Sequence, residues 1–193
     1  MSYSLPLVND RGGEGQSLCG IPMSQNRIAV PTWSYAIDRY KPRRIIDLGT
    51  NNGGFAVFLG IHAWRIGAVV HSFDLCQAPS TELLPLTNVL PIHFHRANHR
   101  EVADTFIRVL IETQGVSYVL CDGGSKVWEF NTFSDMLKPG DVIGVHDYHV
   151  KDEFWPWGEI KQTDCSAAVE RNHLVPFHQE YFDCAGWIVF RKE

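Results

Sequence analysis

Trp33, Ala36, Ile37 and Tyr40 recur at the spacing of one helix face, and Pro42 closes that segment. A short apolar run at 43–48 follows, then a glycine-bearing turn. Beyond the turn, Phe55, Phe58, Leu59, Ala63 and Ile66 form a second helical stripe, stopped by Gly67. The alternation continues down the chain. Apolar runs at 68–75, 89–95, 116–121 and 141–145 predict strands. Between them, Val102, Phe106, Val109, Leu110 and Thr113 trace a helix ended by Gly115, and Phe130, Phe133, Ser134 and Leu137 trace one ended by Lys138-Pro139-Gly140. Residues 76–88 are rich in Pro, Thr and Ser, with room for a short helix. A helix at 164–172 and two strands at 174–181 and 186–191, close enough in sequence to pair antiparallel, complete the pattern. Strands alternating with helices predict an α/β, Rossmann-like three-layer sandwich with a mostly parallel sheet, built as one domain over 1–193. Residues 1–30 carry no such period. Arg11-Gly12-Gly13-Glu14-Gly15 is flexible by composition, so 1–30 is expected to be an irregular arm, either a tail or a loop region over the ligand edge of the sheet.

Composition narrows the class. The 193 residues are 45% hydrophobic and 20% charged, enough for one domain with a sizeable core. Net charge is -5 with no dense Lys/Arg run, which argues against a broad nucleic-acid groove. No apolar run approaches about 18 residues, so no membrane helix is expected. Met1-Ser2-Tyr3-Ser4-Leu5 does not read as a signal peptide, and a cytoplasmic location is the default expectation. The five cysteines are odd in number and widely spaced, with no Cys-x-x-Cys pair, so reduced thiols are expected rather than disulfides or structural zinc.

In open parallel sheets, ligands sit beyond the carboxyl ends of the strands. Four predicted strands end on an acid: Asp47, Asp74, Asp122 and Asp147. Asp47-Leu48-Gly49-Thr50-Asn51-Asn52-Gly53-Gly54 joins a strand to a helix and resembles the first motif of class I S-adenosylmethionine (SAM) methyltransferases, Asp/Glu-x-Gly-x-Gly-x-Gly. Asn51 replaces the middle glycine, a mild change because Asn tolerates the left-handed backbone region. A nicotinamide fingerprint fits less well. Its second glycine is missing, and Asp47 would stand beside the phosphates.

The resemblance implies a strand order of 3-2-1-4-5-7-6 with a C-terminal antiparallel hairpin. It implies that Asp74, with Leu75 beside it, receives the ribose hydroxyls, although a turn or helix-capping role is the plainer alternative. It implies that Asp47 attracts the methionine ammonium directly or through water, that Gly49, Asn51 and Gly53 bring backbone to the cofactor, and that Ala97 and Asn98 line the adenine pocket. Asp122 would border the cofactor as well as the reaction centre.

A second pair of stretches, Tyr118 to Ser125 and Leu137 to Asp147, is similar to the small SAM-dependent O-methyltransferases and cephalosporin-hydroxylase-like proteins. Those carry Asp-Gly-x-His after the fourth strand, Leu-x-Pro-Gly-Gly, and His-Asp after the fifth. The metal-dependent branch implies Mg²⁺ or Mn²⁺ on Asp122, His146 and Asp147, lowering the pKa of a substrate hydroxyl. Ser125 stands where that pattern has His, and Asp141 where it has Gly. His149 is then the candidate base, with a solvent-exposed loop His as the bland reading, and Asp122 and Asp147 are expected at the reaction centre. His146 stays open between ligand, base and ordinary strand-end His.

Other acceptor signatures are absent. No Asn/Asp-Pro-Pro-Tyr follows the fourth strand, and Asp122, Lys161 and Glu180 sit poorly in a ribose-methylating set. His93, His95 and His99, with Arg96 and Arg100, form a polar cluster after the third strand without an acid partner. Trp155-Pro156-Trp157 offers either a stacking surface for an acceptor or a contact in a homodimer. The expected function is SAM-dependent methylation of a small-molecule hydroxyl. The alternative is a SAM-fold protein without methyl transfer: hydroxylase-like, SAM-cleaving or a non-catalytic SAM-binding subunit.

Overall fold

A computed structural model describes residues 16–75, 84–148 and 159–193. Strands β1 (Gln16–Leu18) and β2 (Ile21–Met23) form an antiparallel hairpin. They are followed by α1 (Ala29–Tyr40), β3 (Arg44–Leu48), α2 (Gly54–Ile66), β4 (Val69–Asp74), α3 (Leu84–Thr87) and β5 (Ile92–Arg96). A π-helical segment (Ala103–Ile107) runs into α4 (Arg108–Glu112), then β6 (Ser117–Cys121), α5 (Lys126–Ser134) and β7 (Val142–His146). The chain continues through α6 (Gln162–Arg171), β8 (Leu174–Pro176), α7 (Gln179–Phe182) and β9 (Trp187–Lys192).

The main sheet has seven strands in the order β5-β4-β3-β6-β7-β9-β8. Numbered within that sheet, this is the expected 3-2-1-4-5-7-6. β9 runs antiparallel to both β7 and β8, and the other pairings are parallel.

Strand period 2 divides the core into two layers. Ile45, Leu120 and Val189 face Trp33, Ile37, Phe58 and Leu59 of α1 and α2. Ile46, Val119 and Ile188 face Ile107, Ile111, Phe130 and Phe133 on the other side. Each fully buried side chain of this size contributes about 1.5–3 kcal/mol. Ser34, His62 and Asp38 form a hydrogen-bonded chain between α1 and α2, with links of 3.1 and 3.1 Å. Ser34 lies mid-helix, where helical bonds occupy the backbone N–H groups, so this chain is a packing contact without donors for an oxyanion.

Three local expectations change. The arm at 1–30 is not irregular throughout. Cys19 (φ 53°) and Gly20 (φ 82°) make a two-residue turn with positive φ at both positions, and Ile21 and Met23 alternate into the core. The predicted strand at 174–181 is a strand only to Pro176, which has no N–H to extend the ladder. His178 then turns left-handed (φ 49°) into α7. The helix at 102–113 opens with wider turns, the Ile107 N–H reaching back to the Val102 carbonyl at 3.1 Å. The four described cysteines are free thiols. Among the described residues, no helix is long and apolar enough to cross a membrane.

Candidate active site

The carboxyl ends of β3 and β4 form one half of the site. Gly49 (φ 105°), Asn51 (φ 48°) and Gly53 (φ 91°) are all left-handed, so the turn needs the residues it has, and Asn51 adopts the tolerated αL region. A Cβ on Gly49 would lie 2.2 Å from the Asp122 carbonyl oxygen, and one on Gly54 would lie 2.4 Å from that of Pro22. Gly49 therefore admits the neighbouring strand end, and Gly54 admits the β1–β2 hairpin.

Asp47 is 1% exposed. Its Oδ2 accepts from the Ser72 hydroxyl at 2.6 Å, and Ser72 pairs in turn with Thr50 at 2.6 Å. Its Oδ1 is buried without a hydrogen-bond partner. Burial pushes the Asp47 carboxyl up to about 7. The Ser72 hydrogen bond opposes the shift, and the negative Asp122 and Asp74 reinforce it.

Asp74 Oδ2 accepts the Asn51 N–H at 2.8 Å, so this acid braces the turn as well as standing at the expected ribose position. Leu75 beside it is exposed. The Ala97 N–H donates to the Asp74 carbonyl at 3.0 Å, which sets Ala97 against the end of β4. The Asn98 side chain is spent on its own turn, bonding Glu101 and the Arg100 N–H.

The ends of β6 and β7 form the other half. Asp122, His146 and Asp147 converge, with one donor atom of each within 4.8 Å of the others. Asp147 is itself left-handed (φ 57°), an uncommon conformation for a residue other than glycine, and its Oδ1 lies 3.5 Å from His146 Nδ1. His146 Nδ1 lies 2.9 Å from Asp122 Oδ1, and its ring packs on Trp187 at 4.9 Å. Burial alone would lower the His146 pKa. The charge and hydrogen bond of Asp122, with Asp147, outweigh it, and the net shift is upward.

Five residues that sequence reasoning missed, Gln25, Trp187, Lys126, Glu159 and Glu129, complete this half. Gln25, just past the hairpin, donates to Asp122 Oδ2 at 2.6 Å and accepts from Trp187 Nε1 at 3.0 Å. Lys126 Nζ lies 3.0 Å from Asp147 Oδ2, 2.9 Å from Glu159 Oε2 and 3.1 Å from the Gly123 carbonyl, with Asp122 Oδ1 at 3.8 Å. Burial would pull the Lys126 pKa down. The carboxylates around it prevail and hold it above the ordinary range. Fully buried Glu129 accepts the Gly123 and Ser125 N–H groups at 3.2 and 3.1 Å, fixing the loop after β6.

Ser125 stands just before α5 and receives the Arg100 guanidinium, which also lies over the Trp128 ring at 5.0 Å. His149 and Trp155-Pro156-Trp157 lie outside the described residues. His99 leaves the expected polar cluster and is buried, 3.1 Å from Glu129. His95 instead pairs with His71 at 3.0 Å, and burial leads the lowering of the His71 pKa to about 4. A cavity of 460 Å³ opens at the opposite end of the sheet, lined by Tyr40, Tyr118, Phe177 and Arg191 among others. It touches none of the strand-end acids.

The two halves differ in how they suit their implied ligands. An orphaned buried carboxylate oxygen beside a left-handed turn suits the ammonium and backbone approach of SAM. The trio at β6 and β7 fits a divalent metal poorly. Both oxygens of Asp122 already have partners, and an ammonium sits against Asp147.

No protein-family model matches the chain, and it has no match among curated proteins. Solved structures do match. An apo structure of CmcI is 15% identical with a TM-score of 0.65, covering 98% of this chain and 89% of that one. CmcI with Mg and SAM is 14% identical with a TM-score of 0.63, covering 99% and 90%. The SAH-bound Podospora anserina methyltransferase PaMTH1 is 14% identical with a TM-score of 0.58, covering 87% and 79%. The fold of this chain is that of the class I SAM-dependent methyltransferases.

Proposed function

We propose that the protein is a SAM-dependent methyltransferase acting on a hydroxyl of a small molecule. The observation that carries this reading is the unpartnered, buried Oδ1 of Asp47 beside the Gly49–Gly53 turn. A methionine ammonium at that point would supply the missing hydrogen bond and the countercharge. Asp74 would meet the ribose, with Leu75 and Ala97 bordering the adenine side.

On the acceptor side, His146 is the base that the geometry favours. With its Nδ1 proton on Asp122, the neutral ring presents Nε2 as the proton acceptor, and the upward pKa shift strengthens it. Asp122 orients the ring and stabilises its charged form. Methyl transfer is then a matter of alignment between the acceptor oxygen and the sulfonium methyl. The convergence of Asp122, His146 and Asp147 is the one observation that favours divalent-metal assistance, and Lys126 stands against it.

Titration with S-adenosylhomocysteine, followed by transfer of labelled methyl from SAM to hydroxylated acceptors, tests the reading. Micromolar binding and label in an ether product that His146→Gln abolishes is the expected result. A folded sample that binds neither SAM nor its product overturns it. Binding without transfer to any acceptor supports the non-methylating alternative.

A further inference from the structure

Lys126 stands where a lysine is poorly placed on local grounds. It opens α5, where the positive end of the helix dipole disfavours a cation. Its side chain is 5% exposed, and burying an ammonium is costly unless it is paired. What holds it is complete. Its Nζ donates to Glu159 Oε2 and the Gly123 carbonyl and forms an ion pair with Asp147 Oδ2 at 3.0 Å, and Asp122 Oδ1 is the next neighbour.

A divalent ion on Asp122, His146 and Asp147 would share Asp147 with that ammonium. It would also have to take Asp122 from both Gln25 and His146. Like charges a few ångströms apart in a partly buried site repel strongly.

We propose that Lys126 is the resident cation of this site: its ammonium occupies the seat of a divalent metal, and the protein works without one. The catalytic consequence rests on the methyl-transfer reading; the occupancy itself does not. The Lys126 ammonium faces its own chain's carboxylates, with its side chain 5% exposed. It is a positioning residue, holding Asp147 and Glu159 and offsetting part of the negative charge beside His146.

Direct binding of Mn²⁺, read from the loss of the free-ion electron spin resonance signal, tests this on the full chain and its Lys126→Met variant. S-adenosylhomocysteine is titrated in the same buffers. Wild type is expected to take up no Mn²⁺ at this site, and Lys126→Met, which leaves the carboxylates uncompensated, to bind it at concentrations about tenfold or more below those at which wild type still shows none. Wild-type binding of Mn²⁺ that Asp147→Asn abolishes overturns the proposal, as does a folded Lys126→Met that gains nothing. If Lys126→Met does not fold, the wild-type measurement decides alone. Failure of S-adenosylhomocysteine to bind folded wild type would overturn the methyltransferase reading and leave the Mn²⁺ result standing.

Discussion

The ends of β3 and β4 and the ends of β6 and β7 carry the same residue type in opposite electrostatic states. At the first pair, Asp47 is sealed from water with one oxygen unpartnered. At the second, Asp122 is held by Gln25 and His146, and Asp147 by Lys126. A carboxylate left short of partners raises the free energy of the empty protein and lowers it again when a cation arrives. One supplied by its own chain does neither. The contrast teaches that an acid at a strand end is a ligand site only to the extent that the fold leaves it incomplete. On that measure, the proposed function uses the Asp47 half for an arriving charge and the Asp122 half for orientation.

The change with the largest expected effect removes the seam between the halves. Gly49→Ala places a Cβ 2.2 Å from the Asp122 carbonyl at φ 105°, and more than about 2 kcal/mol of destabilisation should appear in urea unfolding. A stability equal to wild type would show that the two strand ends do not touch as described.

Asp47→Asn tests the incomplete half itself. It should weaken S-adenosylhomocysteine binding by about 1.5–3 kcal/mol in calorimetry, the worth of a hydrogen bond to a charged group, while leaving the melting temperature unchanged or higher. Loss of stability with binding intact would reverse the comparison.

The same carboxylate predicts a pH dependence. Its native pKa is about 7, above its value in an unfolded chain. Between about pH 4 and 7 the native state holds a proton that the unfolded state has lost, so the Asp47 contribution to stability falls as pH rises. The stability of wild type relative to Asp47→Asn should decline across that window in denaturant titrations. A flat difference would mean that Asp47 titrates as an ordinary acid.

The smallest effect is expected from Trp187→Phe. It keeps a ring beside His146 but removes the donor to Gln25 Oε1, and a cost of about 1 kcal/mol should follow, with S-adenosylhomocysteine affinity unchanged.

Sequence alone disclosed the elements whose physics is local. Gly49, Asn51 and Gly53 announce a turn with positive φ, and the alternation of strand and helix periods announces the sheet. His146-Asp147 stands out because a polar pair closes an apolar run. Gln25 is 97 residues from Asp122, and Lys126 is 33 from Glu159, so no window of sequence shows either contact. Lys126 left one faint sign, a cation at the start of a helix. Glu129 left another, an acid four residues past the Ser125 that precedes α5. Residues 174–181 misled because their apolar content fits a strand as well as a short turn of helix, and only Pro176 marks the change.

The place of Trp187 also fixes the order in which a ribosome can finish the two halves. Asp47, Ser72, Asp74 and Ala97 all lie within the first 97 residues, and β3, β4 and β5 can pair around the Asp47 carboxylate once that stretch has left the ribosomal exit tunnel. The Asp122 half waits for β9, which lies between β7 and β8 and brings the indole that holds Gln25 and covers His146. A nascent chain stalled before Trp187 lacks that cover, so its Asp122 half should stay accessible to proteases after its first strands have closed.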